Sequence, residues 1–126
     1  MSNLGKALLR GVALGLGIPE EYFAVNICKE PTELFRIFHY PPPDLSHLKE
    51  GEHPGWGVGE HTDYGLITLL AQDQCGGLQV RMPGDYWIDV PAEDNIFIIN
   101  IGDMLDKLTE GRYRSTPHRV LNISGK

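Results

Sequence analysis

The sequence has few cysteines, no cluster of basic residues and no long uninterrupted apolar run. Its two cysteines, Cys28 and Cys75, lack the short spacing of zinc-binding or redox-active pairs. That pattern favours reduced thiols over a disulfide and predicts a cytoplasmic protein. The net charge of −6, without a basic block, gives no electrostatic support for binding nucleic acid or an anionic membrane surface.

The apolar stretch near the N-terminus is interrupted by Arg10 and by several glycines. It therefore has the pattern of neither a signal peptide nor a membrane-spanning helix, and we expect no membrane association. The remaining composition is ordinary for a globular domain, with 41% hydrophobic and 22% charged residues. The length of 126 residues is enough for one domain with a single core.

The first part of the chain has a helical pattern. Apolar side chains recur every four residues, at Leu4, Leu8, Val12 and Leu16. This spacing places them on one face of a helix, although the glycines between them weaken it. We expect residues 1–32 to form an N-terminal helical segment and residues 33–126 to form the main domain.

The main domain has the pattern of many short strands. Residues 34–40 are rich in β-branched and aromatic side chains and end at three consecutive prolines, which stop a strand. Further strands are predicted near residues 58–70, 78–81, 86–89, 95–101 and 118–123, with Gly- and Pro-rich turns between them, and Gly102-Asp103 is predicted to be a turn. Short strands without alternating helices predict a mainly β fold of the jelly-roll (double-stranded β-helix) type.

Two histidines and one aspartate have the spacing of a metal site. His61 and Asp63 are two residues apart, so both side chains would point to one face of a strand. His118 follows 118 − 61 = 57 residues after His61, and a returning strand would bring it back. Two imidazoles and one carboxylate on one face of an ion leave the opposite positions open, as in non-heme iron(II) oxygenases.

The same residues have less specific interpretations. A His-x-Asp pair is also common as ordinary polar strand surface, and structural hydrogen bonding would explain it equally well. A zinc hydrolase is a weaker alternative, because the sequence has no His-Glu-x-x-His motif and no glutamate placed as a general base. The other histidines have no matched partner and are expected at the surface or behind the ligands: His39, His47 and His53.

Further motifs surround the three candidate ligands. In chain order they are His61-Thr62-Asp63-Tyr64-Gly65-Leu66, Gly77-Leu78-Gln79-Val80, Trp87-Ile88-Asp89-Val90-Pro91, Asn100-Ile101-Gly102-Asp103-Met104-Leu105, Leu108-Thr109-Glu110-Gly111 and Tyr113-Arg114-Ser115-Thr116-Pro117-His118-Arg119-Val120. From about Arg36 onwards, their order and spacing resemble the iron(II)/2-oxoglutarate-dependent dioxygenases of the isopenicillin N synthase-like family.

The resemblance implies a chemistry. Iron(II) would be bound by His61, Asp63 and His118, with 2-oxoglutarate as cosubstrate and ascorbate as a further reductant to be considered. Such an enzyme oxidises a small organic substrate with O2 through a ferryl intermediate. The resemblance also places Tyr40 near the carboxylate of the cosubstrate or substrate, where its phenol would donate a hydrogen bond. Four further residues would line the same dry cavity: Thr68, Leu70, Leu78 and Val120.

One feature departs from the family pattern. In the family, an Arg-x-Ser pair about nine or ten residues after the second histidine anchors the distal carboxylate of 2-oxoglutarate. The sequence ends at Lys126, which is 126 − 118 = 8 residues after His118. We therefore expect the chain to be the middle of a catalytic core. The alternative is a non-catalytic fragment or pseudoenzyme that needs a further segment or a partner chain, such as a homo-oligomer that covers its open sheet edges.

Overall fold

The computed structural model describes residues 1–44, 46–47, 49 and 55–122. The prediction for His53 and the end of the last predicted strand lie outside these residues. The chain divides into two compact units, residues 1–38 and residues 39–126. The predicted division of the chain after residue 32 stays a prediction.

The first unit contains two helices, α1 (Ser2–Leu16) and α2 (Tyr22–Asn26). Helix α1 ends at Gly17, which adopts the left-handed conformation (φ 72°) that glycine reaches without steric cost. The buried side chains of this unit are Leu9, Ala13 and Phe23. None of the helices formed by the described residues has the length and apolar character that crossing a bilayer requires.

The predicted strand over residues 34–40 is wrong. These residues belong to no helix or strand, and within the described chain no strand pairs with them. A strand needs hydrogen bonds from a neighbour, so β propensity alone does not form one. The apolar side chains of this segment are consequently 61–84% exposed: Leu34, Phe35, Ile37 and Phe38.

The second unit is mainly β, as predicted. Its strands are β1 (Trp56–His61), β2 (Ile67–Leu70), β3 (Leu78–Met82), β4 (Tyr86–Asp89), β5 (Ile98–Ile101) and β6 (His118–Leu121). One antiparallel sheet has the order β1-β6-β3-β4, and a second pairs β2 with β5. The last strand in sequence therefore lies between the first and third, which brings residues far apart in the chain side by side.

A third helix, α3 (Asp103–Leu108), follows β5 and corrects the predicted turn at Gly102-Asp103. Gly102 is the N-cap residue, and Asp103 and Asp106 occupy the first turn, where the helix dipole favours negative charge. Leu105 is fully buried and anchors the helix. These two aspartates before a buried leucine were a helix-start signal that the turn interpretation overlooked.

On the face of the four-stranded sheet opposite His118, Arg119 joins three neighbouring strands. Successive strand residues point to opposite faces, so Arg119 of β6 lies on the other side from His118. Its guanidinium carbon lies 4.5 Å from the ring centroid of Trp56 in β1 and 3.8 Å from that of Trp87 in β4. Its Nε donates a 2.8 Å hydrogen bond to Oε1 of Gln79 in β3. Arg119 therefore stabilises the sheet that carries His118.

Candidate metal centre

His61 and His118 lie side by side on neighbouring strands. They are direct partners in the antiparallel pairing of β1 with β6. Side chains at such positions share one face of the sheet, and the two ring centroids are 4.3 Å apart. The side chain of His118 is 10% exposed and that of His61 is 39% exposed. One imidazole is thus fixed inside the fold while the other borders solvent.

Asp63 reaches both histidines from just beyond the end of β1. The strand ends at His61, so the expectation that both residues lie on one strand is wrong. The Oδ1 atom of Asp63 is nevertheless 3.8 Å from Nε2 of His61 and 3.8 Å from Nε2 of His118. One ligand atom from each of the three residues lies within 4.8 Å of the others. The structure thus brings together the three side chains that the sequence singled out.

Each histidine ring is oriented by a backbone carbonyl two residues before it. The Nδ1 atom of His61 lies 2.9 Å from the carbonyl oxygen of Gly59, and Nδ1 of His118 lies 3.0 Å from that of Thr116. Because a carbonyl can only accept, Nδ1 of each neutral imidazole carries the hydrogen and Nε2 keeps its lone pair. Both rings therefore present a lone pair on the side facing Asp63. This outer-sphere arrangement is common around metal-binding histidines.

The second carboxylate oxygen of Asp63 is held by two hydrogen bonds. Oδ2 accepts one from Oγ1 of Thr68 at 2.5 Å and one from Nδ2 of Asn100 at 2.8 Å. Burial by itself raises the pKa of Asp63, but these two hydrogen bonds and the nearby His118 and His61 outweigh it. The pKa therefore lies below its ordinary value of 3.8. The carboxylate is ionised and available to a cation at neutral pH.

The backbone around Asp63 is fixed by the start of α3. The N–H of Asp103 donates to the carbonyl of Asp63 at 2.6 Å, and the N–H of Gly102 donates to that of Leu66 at 2.9 Å. The hydroxyl of Thr62 donates to Oδ2 of Asp103 at 3.2 Å. Sequence reasoning had given Asn100 and Asp103 no part in the site. Their place in one Asn-x-Gly-Asp motif was the available signal.

The three donors suit a divalent transition metal. Two imidazole nitrogens and one carboxylate oxygen are a ligand set used by iron(II), zinc and related ions. Such ions hold N or O donors at about 2.0–2.2 Å, so two donors at right angles stand roughly 3 Å apart. The observed 3.8 Å separations are slightly wider than this. A small inward movement of exposed His61 would complete the fit.

A pocket opens beside His118, with about 290 Å³ of space that includes open solvent. Its lining residues are Leu70, Leu78, Val80, Ile98, Asn100, Thr116 and His118. Leu70 and Leu78, two of the predicted cavity residues, lie on this wall. Thr68 instead donates its hydroxyl to Asp63. Val120 pairs with Val58 in β1 and with Leu78 in β3 and is not among the residues that line the pocket.

Tyr40 packs against the strand that carries His61. A Cβ atom placed on Gly57 of β1 would lie 3.0 Å from Cδ1 of the Tyr40 ring, so the ring sits directly on the glycine backbone. Burial raises the pKa of Tyr40 above its ordinary value of 10.0, which keeps the phenol protonated. Tyr40 thus retains a hydrogen-bond donor close to β1.

Residues 31–126 match the model of a family described as the 2OG-Fe(II) oxygenase superfamily. Among curated relatives, a probable iron/ascorbate oxidoreductase of Dictyostelium discoideum is 44% identical over the whole chain, which covers 37% of that relative. A 1-aminocyclopropane-1-carboxylate oxidase of Dictyostelium mucoroides is 36% identical, again over the whole chain and 41% of the relative. The chain thus spans about two fifths of the length of these relatives.

Solved structures give the same result. The chain superposes on a full-length protein of Neurospora crassa in complex with alpha-KG with a TM-score of 0.74 and 30% identity, covering 98% of this chain and 38% of that one. It also superposes on JOX2 in complex with 2OG, Fe and JA with a TM-score of 0.76 and 30% identity, covering 99% and 36%.

Proposed function

Because the chain belongs to the 2OG-Fe(II) oxygenase superfamily, we propose that it forms the iron-binding part of an oxidoreductase that uses O2 and 2-oxoglutarate to oxidise a small organic molecule. The observation that carries the proposal is the convergence of three donor atoms. Nε2 of His61, Nε2 of His118 and Oδ1 of Asp63 face one another, while the other polar atom of each side chain is already hydrogen-bonded.

In this proposal, His61, Asp63 and His118 bind iron(II). When bound, the iron would supply the redox chemistry that activates O2 together with 2-oxoglutarate. The chain's own contribution is to orient the donors. The carbonyls of Gly59 and Thr116 fix the two imidazole rings, and three protein ligands leave the remaining positions of the ion open for cosubstrate and oxygen.

The pocket beside His118 is proposed to accept the small molecules. Aliphatic side chains form most of its wall, and such a lining keeps water away from reacting groups. Leu70 and Leu78 would shape this space, and the predicted contributions of Thr68 and Val120 to the cavity remain part of the proposal. Tyr40 is proposed to donate its phenol hydrogen to a carboxylate of the cosubstrate or substrate.

The ligand set is tested by metal titration under anaerobic conditions. We expect the wild type to bind one equivalent of iron(II) by calorimetry, and Asp63→Ala and His118→Ala to weaken binding by more than about 100-fold, since each removes a ligand. His47→Ala is the matched control, because the side chain of His47 is 89% exposed and lies outside the donor cluster. Unchanged affinity in either ligand variant would show that the metal binds elsewhere.

Cosubstrate use is tested separately. 2-Oxoglutarate should bind tightly only when the metal is present, because the ion supplies two of its coordination positions. Succinate release in the presence of O2 would then establish turnover. If 2-oxoglutarate bound equally well to the metal-free protein, the proposed chelation would be wrong.

Two coarser properties also remain proposals. Homo-oligomerisation is supported by the exposed apolar segment at residues 34–38 and by the open edges of the two sheets. Sedimentation equilibrium would show a dimer or larger species if this is correct and a monomer if it is not. A cytoplasmic location is supported by both cysteines being thiols rather than halves of a disulfide.

A further inference from the structure

The two side chains that hold Oδ2 of Asp63 come from opposite positions of one strand pair. Thr68 of β2 and Asn100 of β5 are direct partners in the antiparallel pairing of the two-stranded sheet. Side chains at such positions share one face and lie close together. Both reach the same oxygen, at 2.5 Å and 2.8 Å. The carboxylate is therefore gripped by the second sheet, whereas both histidines belong to the first sheet.

The two hydrogen bonds differentiate the carboxylate oxygens. An ionised carboxylate offers about two lone-pair directions on each oxygen. Thr68 and Asn100 occupy both directions of Oδ2, which leaves Oδ1 as the oxygen with open lone pairs. Oδ1 is the atom that stands 3.8 Å from each histidine Nε2. The grip also fixes rotation of the carboxylate about its terminal torsion, a torsion that is otherwise broad.

We propose that Thr68 and Asn100 are positioning residues that select Oδ1 of Asp63 as the metal-binding atom and hold it in the direction of the two histidines. This inference rests on the proposed function, because it concerns the same metal site. It assigns Thr68 a role different from lining the cavity, and it gives Asn100 a role in metal binding although it is not itself a ligand.

The test uses Co²⁺, whose visible absorption reports the geometry of its ligands as well as its binding. Thr68→Val keeps the shape of the side chain but removes the donor, and Asn100→Leu does the same at its partner position. We expect each to weaken Co²⁺ binding by about 10- to 100-fold and to alter the visible spectrum. Thr68→Ser restores the hydroxyl and should return both affinity and spectrum to within a few-fold of wild type.

Controls separate positioning from folding. Thr32→Val removes a hydroxyl from an exposed residue outside the site and should bind Co²⁺ as wild type does. Thermal unfolding of each metal-free variant shows whether it is folded. If Thr68→Val does not fold, Asn100→Leu and Thr68→Ser still decide the question.

The outcomes distinguish the two claims. If the wild type binds no Co²⁺ at the three ligands, the proposed function fails and this inference fails with it. If the wild type binds and Thr68→Val and Asn100→Leu bind equally well with an unchanged spectrum, the inference alone is overturned. Equal losses in Thr68→Val and Thr68→Ser would also overturn it, because packing rather than the hydroxyl would then matter.

Discussion

Gly102 packs directly against the backbone of Gly65. A Cβ atom at position 102 would lie 2.2 Å from the carbonyl oxygen of Gly65 and 3.0 Å from that of Asp63. Gly102 has an ordinary φ of −98°, so the requirement for glycine comes from this close approach rather than from backbone conformation. The start of α3 is thereby in contact with the loop that carries the carboxylate ligand.

Gly102→Ala should destabilise the protein, because the new methyl group must displace backbone atoms rather than a flexible side chain. We expect a loss of about 1–3 kcal/mol in the free energy of unfolding, measured by urea denaturation. Gly11→Ala is the contrasting variant. Gly11 lies inside α1, and a Cβ atom added there would meet nothing within 4 Å, so alanine should stabilise the helix by about 0.5–1 kcal/mol. Equal effects would contradict the proposed close packing.

Arg119→Met should weaken the four-stranded sheet. It keeps most of the aliphatic stem but removes the guanidinium that lies over Trp56 and Trp87 and donates to Gln79. We expect a loss of about 1–3 kcal/mol by urea unfolding. Arg112→Met, at an exposed position, should remain within about 0.5 kcal/mol of wild type. If both variants had the same stability, the stacking of Arg119 would contribute nothing measurable.

Glu20 should titrate below its ordinary pKa of 4.5. The hydrogen bond from Arg10, at 2.7 Å, is the main cause of this lowered pKa. Because the folded pKa is depressed, the stabilisation from this pair is present above pH 4.5 and is lost as the pH falls through the folded pKa. An NMR titration of the Glu20 side chain measures the shift directly. In Arg10→Gln the pKa should move upward, and an unchanged value would exclude Arg10 as the cause.

Tyr40→Phe tests the proposed contact with a carboxylate. Removing a hydrogen bond to a charged group costs about 1.5–3 kcal/mol, so 2-oxoglutarate or substrate should bind roughly 10- to 150-fold more weakly. Metal affinity should not change, because Tyr40 is not one of the three clustered donors. Tyr86→Phe, which alters an exposed tyrosine of β4, serves as the control. Unchanged binding of both small molecules would remove Tyr40 from the site.

The parts of the fold that the sequence predicted depend on local patterns. Strand β4 (Tyr86–Asp89) has the predicted bounds, because turn residues delimit it on the preceding side and a proline follows shortly after. The pairing of His61 with His118 followed from chemistry, since two histidines and an aspartate at this spacing suit one ion. Both inferences needed only residue type and spacing.

The parts that were missed depend on long-range pairing. Asn100 reaches Asp63 across 37 residues, and only the register of β2 with β5 places it opposite Thr68. The segment at residues 34–40 has strong β propensity, but among the described residues no strand pairs with it. Asp63 lies beyond the end of β1 because backbone bonds from Gly102 and Asp103 draw its loop away from the sheet. None of these partners can be identified from neighbouring sequence.

The position of the three donors also has a consequence for the lifetime of the folded chain. His61 and His118 are 118 − 61 = 57 residues apart, and Asp63 is gripped from the other sheet. An ion bound to all three would close this long loop and tie the two sheets together, much as a reversible disulfide would. Ligands that bind only the native state stabilise it by mass action. The supply of iron would then determine how long the chain resists unfolding and proteolysis, as well as whether it can react.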